Sequence, residues 1–365
     1  MFSLRIVLTA TLISVSLSFS IGQTVRIADN NFNAPTGPNI FPTLQEAVDA
    51  ADPGDIIYVQ PSPTQYGNLT TDKPLIIKGI GFNLDKDIPH QSSVSGITLT
   101  NNVDNTANAS GTEIEGLTTT NLVLGLSTTT TYSLDNVVIK NSLITSGLSA
   151  RVTVNNLLIN DCQTGFLQFN QPVLNSEIRN NLLGGSGIFL FGTSNSLIVT
   201  NNIIYASISK SSEGDNVIIQ HNNFIGSRPS TNAFGNLIDA IVANNIFYGR
   251  TPSRSASGGS TSASFQRNIF TNNLSFETGN DELPPAGGGV GNSGDGNIVG
   301  SSPMFTNVPI INTWSADYNF TLQAGSPVFN AASDGSDIGI TGGPYSWTES
   351  NFSLNTTSIP TIQTF

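Results

Sequence analysis

Arg179-Asn180-Asn181-Leu182-Leu183, Thr200-Asn201-Asn202-Ile203-Ile204, His221-Asn222-Asn223-Phe224-Ile225 and Ala243-Asn244-Asn245-Ile246-Phe247 are variants of one phrase, an Asn pair followed by two apolar residues. Val154-Asn155-Asn156-Leu157-Leu158 precedes them, and weaker copies flank the series at Asp135-Asn136-Val137-Val138 and Arg267-Asn268-Ile269-Phe270. Measured on the second Asn, successive copies lie about 20 to 25 residues apart, the period of a solenoid in which each copy is one coil. Asn tolerates left-handed backbone better than other non-glycine residues, so the pair marks a sharp corner between strands. Equivalent Asn side chains stacked from coil to coil can pass amide hydrogen bonds along the axis and satisfy polar groups that the bend would bury. The L-x-x-L-x-L framework of leucine-rich repeats is missing. The pattern therefore predicts an all-β chain, a single-stranded right-handed parallel β-helix filled by Ile, Val, Leu and Phe.

Composition agrees with this and excludes other classes. Of 365 residues only 10% are charged, 38% are hydrophobic and 35 are Gly, which rules out a helical bundle and intrinsic disorder alike. A net charge of −12 with 13 scattered Lys and Arg argues against nucleic acid as a partner. Residues 1–22 carry Arg5, then the apolar run Ile6 to Leu17, then small residues, which is signal-peptide architecture and predicts export. The apolar run is too short for a membrane span, and no second candidate follows. Cys162 is the single cysteine, so no intramolecular disulfide is available, and a buried inert thiol is expected.

A solenoid needs its open end covered. Thr43-Leu44-Gln45-Glu46 fits a capping box, Leu44, Ala47, Val48 and Ala51 share one helical face, and Asp52-Pro53-Gly54 ends the segment, so a short N-terminal capping helix is predicted. Asp55-Ile56-Ile57-Tyr58-Val59 reads as the first strand and Lys73-Pro74-Leu75-Ile76-Ile77-Lys78-Gly79 as the second coil, with Tyr66-Gly67 in the turn between. This order of helix, Pro-Gly-Asp, strand, Tyr-Gly turn and Lys-Pro-Leu-Ile-Ile-Lys-Gly resembles the start of the pectate-lyase-like right-handed parallel β-helix superfamily, over roughly Thr43 to Gly81. Leu322 to Asn330 and Asp337-Ile338-Gly339-Ile340 are similar to closing segments of secreted bacterial β-helix proteins and are expected to belong to a C-terminal cap. Ser253 to Ser264 and Pro284 to Gly296, rich in Ser, Gly and Pro, are expected loops. The organisation expected is a signal peptide (1–22), a lead-in (23–42), the β-helix with its caps (43–349) and a tail (350–365).

The resemblance implies action on polysaccharide. Lyases of this fold use Lys or Arg as base and often calcium, and hydrolases use paired Asp, yet no catalytic signature of either kind is found here. The best remaining constellation is Lys140, Arg151, Asp161, Glu177 and Arg179, from three consecutive coils about 4.8 Å apart, which are expected to meet on one face. The competing reading is a solvated exterior. Asp334 and Asp337 flank a tight turn suited to Ca²⁺, against which stands an ordinary solvated turn. Tyr66, Tyr132, Tyr205, Tyr248, Trp314 and Trp347 are candidate sugar platforms, and His221 is expected as a turn residue. Two functions are carried forward: a secreted monomer acting on polysaccharide, with a lyase of uronate-containing glycans as the first choice, and a non-catalytic module that binds polysaccharide or cell-surface glycan.

Overall fold

The computed structural model describes residues 22–348 except 83–89, 129–131, 211–215, 228–231, 253–264, 280 and 286–290. The expected tail, the expected loop at 253–264 and, Gly22 apart, the expected signal peptide lie outside the described residues. The chain winds as a right-handed parallel β-solenoid of about 10 turns, and among the described residues its strands form two sheets of 12 strands, a third of 4 and two two-stranded pairs. One coil shows the path. Val138–Lys140 lies in the first sheet, Leu143–Ala150 in the second and Thr153–Asn155 in the third, and Leu158–Asn160 returns to the first beside Val138–Lys140. Among the described residues no helix is long and apolar enough to cross a membrane.

Alternation along each strand decides what faces inward. On the first sheet Ile57, Ile77, Ile114, Ile139, Ile159, Ile178, Val199, Ile219, Val242 and Phe270 are register partners from coil to coil, and all are buried. Stacked β-branched side chains fill a pleated surface well, and that column is the spine of the inner core.

Both corners beside the first sheet use left-handed backbone. At the exit corner Asn141, Asp161, Asn180, Asn201, His221, Asn244 and Asn272 have positive φ; at the return corner Asn136, Asn156, Asn175, Ser196, Asp239 and Arg267 do. The residue after each exit-corner position turns inward. Asn181, Asn202, Asn222, Asn245, Asn273 and Asn297 form a continuous ladder, each Nδ2 donating to the Oδ1 of the next at 2.9–3.1 Å. Each of those Oδ1 atoms also accepts the backbone N–H one coil earlier, beginning with Cys162.

The sequence repeat is thereby corrected. Asn155-Asn156, Asp135-Asn136 and Arg267-Asn268 belong to the return corner, because they precede first-sheet strands instead of following them. In the copy at 221–225 the phase shifts by one: His221 takes the corner and Asn222 the ladder, leaving Asn223 at the start of the next strand. Asn272-Asn273 supplies a rung, and within the expected loop Asn292 accepts from Asn268 on a shorter return-corner ladder.

The helix Leu44–Asp49 forms as expected, with Thr43 Oγ1 accepting from Glu46 N at 3.2 Å and Leu44, Ala47 and Val48 entering the inner core. The expected lead-in, however, already contains a strand. Val25–Ala28 pairs with Ile56–Val59, so the first sheet starts before the helix.

The C-terminal segment is a flank cover. The antiparallel hairpin Phe305–Asn307 and Asn319–Leu322 packs with Val328, Ile338, Ile340 and Trp347 against outward-facing Leu182, Ile203, Ile225, Ile246 and Leu274 of the second sheet, making a second core. From there the chain runs back along the exit corner. Ala331 O accepts from Asn272, Ser333 bonds Asn244, Gly342 O accepts from Asn201, and Tyr345 O accepts from Asn180. The segment expected to cap the end thus straps the side, because apolar residues on the outside of the last coils need cover of their own.

Cys162 occupies the position just ahead of Asn181 on the exit-corner column, fully buried, with its thiol pushed up to about 12 by burial. In the native protein Cys162 is expected to resist alkylation at neutral pH and to react at an ordinary rate once denatured, as measured by mass spectrometry with and without urea.

Candidate functional site

Register places Lys78, Glu115, Lys140, Asn160, Arg179 and Thr200 in one outward column of the first sheet, with Glu113 and Glu177 in the parallel column beside it. Lys140 Nζ lies 2.8 Å from Glu113 and 3.4 Å from Glu115, and Lys78 Nζ lies 3.1 Å from Glu115. Arg179 is held by Glu177 at 3.1 Å, by Asn160 Oδ1 at 3.0 Å, and over the Tyr345 ring at 4.0 Å. Asp161 sits at the adjoining corner and accepts from Asn160 Nδ2. Four of the five expected residues are therefore neighbours. Arg151 is not: it follows Leu143–Ala150, at the far end of the second-sheet strand, and donates to Leu126 O.

Chemically this face is a closed ion network. Burial acts to lower Lys140, but the Glu113 and Glu115 carboxylates outweigh it and hold the ammonium above its ordinary value. Burial acts to raise Glu115, and Lys78 and Lys140 together bring it below the usual carboxylate range. Asp161 is raised by burial, against the Asn160 hydrogen bond and the Arg179 charge. A lyase base must surrender its proton near the working pH, and Lys140 is shifted the other way.

Asp334 and Asp337 do not face one another as ligands. Asp334 Oδ1 accepts from Ser336 N and Oγ, its Oδ2 lies 3.3 Å from His221 Nε2, and Asp337 Oδ1 accepts from Asn330 N. Among the described residues no group of three or more His, Cys, Asp or Glu residues able to hold a metal occurs, and the carboxylates of Asp334 and Asp337 are both engaged by donors of the strap itself. The turn brings the strap onto His221, which is 1% exposed and also meets Asn244 Nδ2 at 3.1 Å.

Burial lowers the pKa of His221, against the opposing pull of the Asp334 carboxylate and the backbone at Gly339 and Asp337. The unfolded chain therefore takes up this proton first. The stability contributed by neutral His221 is complete above about pH 6.5 and is lost as pH falls toward the depressed folded value. His221→Asn, which restores the residue used at most of the exit-corner positions, is expected to remove this acid limb. Urea midpoints compared across that pH range check it; parallel curves for the two proteins would refute it.

The second sheet carries a different feature. Its register slips at Thr145–Gly147, beside Gly165 and at Gly184–Gly187, three bulges on adjacent coils that bend the sheet into a trough. Glycine is required there by close approach: a Cβ on Gly165 would lie 2.2 Å from Ser146 O, and one on Gly185 2.3 Å from Gly165 O. The cover segment supplies the wall. Trp314, backed by Phe320 in a stacked arrangement (centroids 6.2 Å apart), closes the trough with Asn312 and Thr313 into a groove of about 490 Å³. Thr145, Gln163 and Thr164 add polar groups, and among the described residues no charged side chain lines it. That volume lies within the range of small-ligand sites.

No family model and no curated protein matches the chain. Among solved structures, the crystal structure of pectate lyase Pel9A aligns over 87% of this chain and 96% of that one, with a TM-score of 0.40 and 12% identity.

Of the six candidate aromatic platforms, Trp314 is the one that lines the groove. Tyr66 is buried with its hydroxyl on Ala28 O and Gln60 O, Tyr248 donates to Val308 O, Tyr205 and Trp347 are in the second core, and Tyr132 meets Thr100. The repeat and its motifs do not point to the groove's floor. Its signal was there in Gly184-Gly185-Ser186-Gly187, which interrupts an otherwise regular apolar strand.

Proposed function

We propose that this is an exported β-helix that binds polysaccharide in the groove between the bulged second sheet and Trp314, without cleaving it. The observation that carries the reading is the pairing of a backed indole with a floor of glycine bulges: an aromatic face for the sugar ring, beside the polar side chains Thr145, Gln163, Thr164 and Asn312 for its hydroxyls. The signal-like residues 1–22 favour export. The lyase reading is weakened by the closed ion network around Lys140 and Arg179.

The test has two arms. Affinity electrophoresis through gels containing neutral or acidic polysaccharide is expected to retard the native protein and not Trp314→Ala. Incubation with polygalacturonate, alginate and glycosaminoglycans, with and without calcium, is expected to yield neither unsaturated-uronate absorbance nor new reducing ends. Turnover that disappears in Lys140→Ala or Arg179→Ala would return the activity to the charged face.

A further inference from the structure

Resting on the glycan reading of the groove, we infer that its ligand is an uncharged glycan chain laid along the solenoid axis, one sugar unit per coil. The direction follows from the floor. Thr145, Gly165 and Gly184 come from three adjacent coils about 4.8 Å apart, so the trough crosses the strands and advances by one coil for each bulge. A chain lying along a strand would instead meet one bulge and then the rising side of the bend.

Charge fixes the class. A polyuronate presents a carboxylate on every unit and requires Arg, Lys or a bound cation opposite it, and the groove lining offers Gln163, Asn312 and the Thr hydroxyls instead. The rest of the molecule reinforces this choice, since a net charge of −12 repels a polyanion before contact. The cations of the central coils offer no help, because Lys78, Lys140 and Arg179 are engaged with Glu115, Glu113 and Glu177 on a different sheet. Neutral hydroxyls, by contrast, match amide, hydroxyl and backbone partners, and a pyranose face matches Trp314.

Gly184 gives a clean probe. Nothing lies within 4 Å of where its Cβ would be, its φ is outside the left-handed region, and it lines the groove, so Gly184→Gln obstructs the trough without disturbing the sheet. Calorimetric titration of the full exported chain with galactomannan, mixed-linkage β-glucan and xylan, and with polygalacturonate and alginate, distinguishes the outcomes. Expected are binding of a neutral polymer with little salt dependence, and a loss of about thirtyfold in Trp314→Ala, as for a central aromatic anchor, and in Gly184→Gln. Affinity for oligosaccharides of the neutral polymer that binds is expected to rise from one to three units and then level off. Polyuronate binding that depends on Trp314 and Gly184 would overturn the neutral class while leaving the groove as a glycan site. Equal affinity for one unit and three would overturn the axial arrangement. Binding unchanged in both variants, or none to any of these polymers, would overturn the glycan reading itself.

Discussion

Asn222→Ala is expected to lower the unfolding free energy by about 4 kcal/mol, an unusually large loss for one polar side chain. Asn222 is fully buried, and its side-chain amide has five hydrogen-bonding partners atom by atom. Its Nδ2 shares two N–H groups among Val199 O, Gln220 O and Asn245 Oδ1, all within 3.0 Å, and its Oδ1 accepts from Asn202 N and Asn202 Nδ2. Alanine removes all five and strands carbonyls and amides where water does not reach, and each buried group left unpaired costs about 1–3 kcal/mol. Because a solenoid is stabilised by neighbour-to-neighbour contacts, the break is also expected to separate the coils on either side into distinct unfolding steps. Urea denaturation followed by circular dichroism checks the size, and hydrogen exchange checks the position. Asn156→Gly is the control. Asn156 is an exposed corner residue with positive φ and a side-chain bond to Asn136, and glycine keeps its backbone conformation, so a change within about 0.5 kcal/mol is expected. Equal losses at the two sites would show that the ladder adds nothing beyond corner geometry.

Arg250→Ala is expected to cost about 3 kcal/mol and to loosen the wall of the groove as well. The buried Arg250 guanidinium donates to Ile225 O at 2.8 Å, Asn232 O at 2.9 Å and Tyr205 O at 2.6 Å, and reaches Asn312 Oδ1 at 3.5 Å. Burial draws its pKa down to about 10, still far enough above neutrality to keep the charge. Alanine leaves three carbonyls without their donor, and it removes one of two side-chain contacts of Asn312, two residues from Trp314, leaving the bond to Ser227 Oγ. Thermal unfolding should therefore start in the cover segment, and polysaccharide binding should weaken about tenfold, or by about 1.4 kcal/mol. Arg250→Lys is expected to fall between, since an ammonium cannot reproduce a fork that reaches three carbonyls in different directions. Loss of stability with binding intact would separate the staple from the site.

The ladder and the staple differ in how far the sequence announces them. A left-handed corner followed by an inward amide is a local property of the dipeptide, and it recurs, so the solenoid, its Asn ladder and its approximate coil length are legible in residues 135 to 270. The Thr43 cap of the helix and the inert Cys162 are legible for the same reason, since each depends on immediate neighbours. Assignment of each pair to a corner is less so: Asn155-Asn156 and Asn180-Asn181 look alike, and only the position of the first-sheet strand, before or after the pair, tells them apart. His221 in the place of an Asn shifted the apparent phase by one.

The candidate site lay largely outside that local code. Period alone brings Lys140, Arg151, Asp161, Glu177 and Arg179 together, but Arg151 lies at the far end of a second-sheet strand, and the neutralisation of the rest depends on Glu113 and Lys78 from earlier coils and Tyr345 from the strap. By itself the sequence determined the all-β solenoid, its capped start and its ladder, because those follow from backbone preference and a short repeat. Tertiary structure decided that the C-terminal segment folds back over the second sheet and brings Trp314 to the glycine bulges of distant coils. The reason is physical: the outward Leu and Ile of the last coils need burial, and what buries them is set by contacts across the chain that no repeat period encodes.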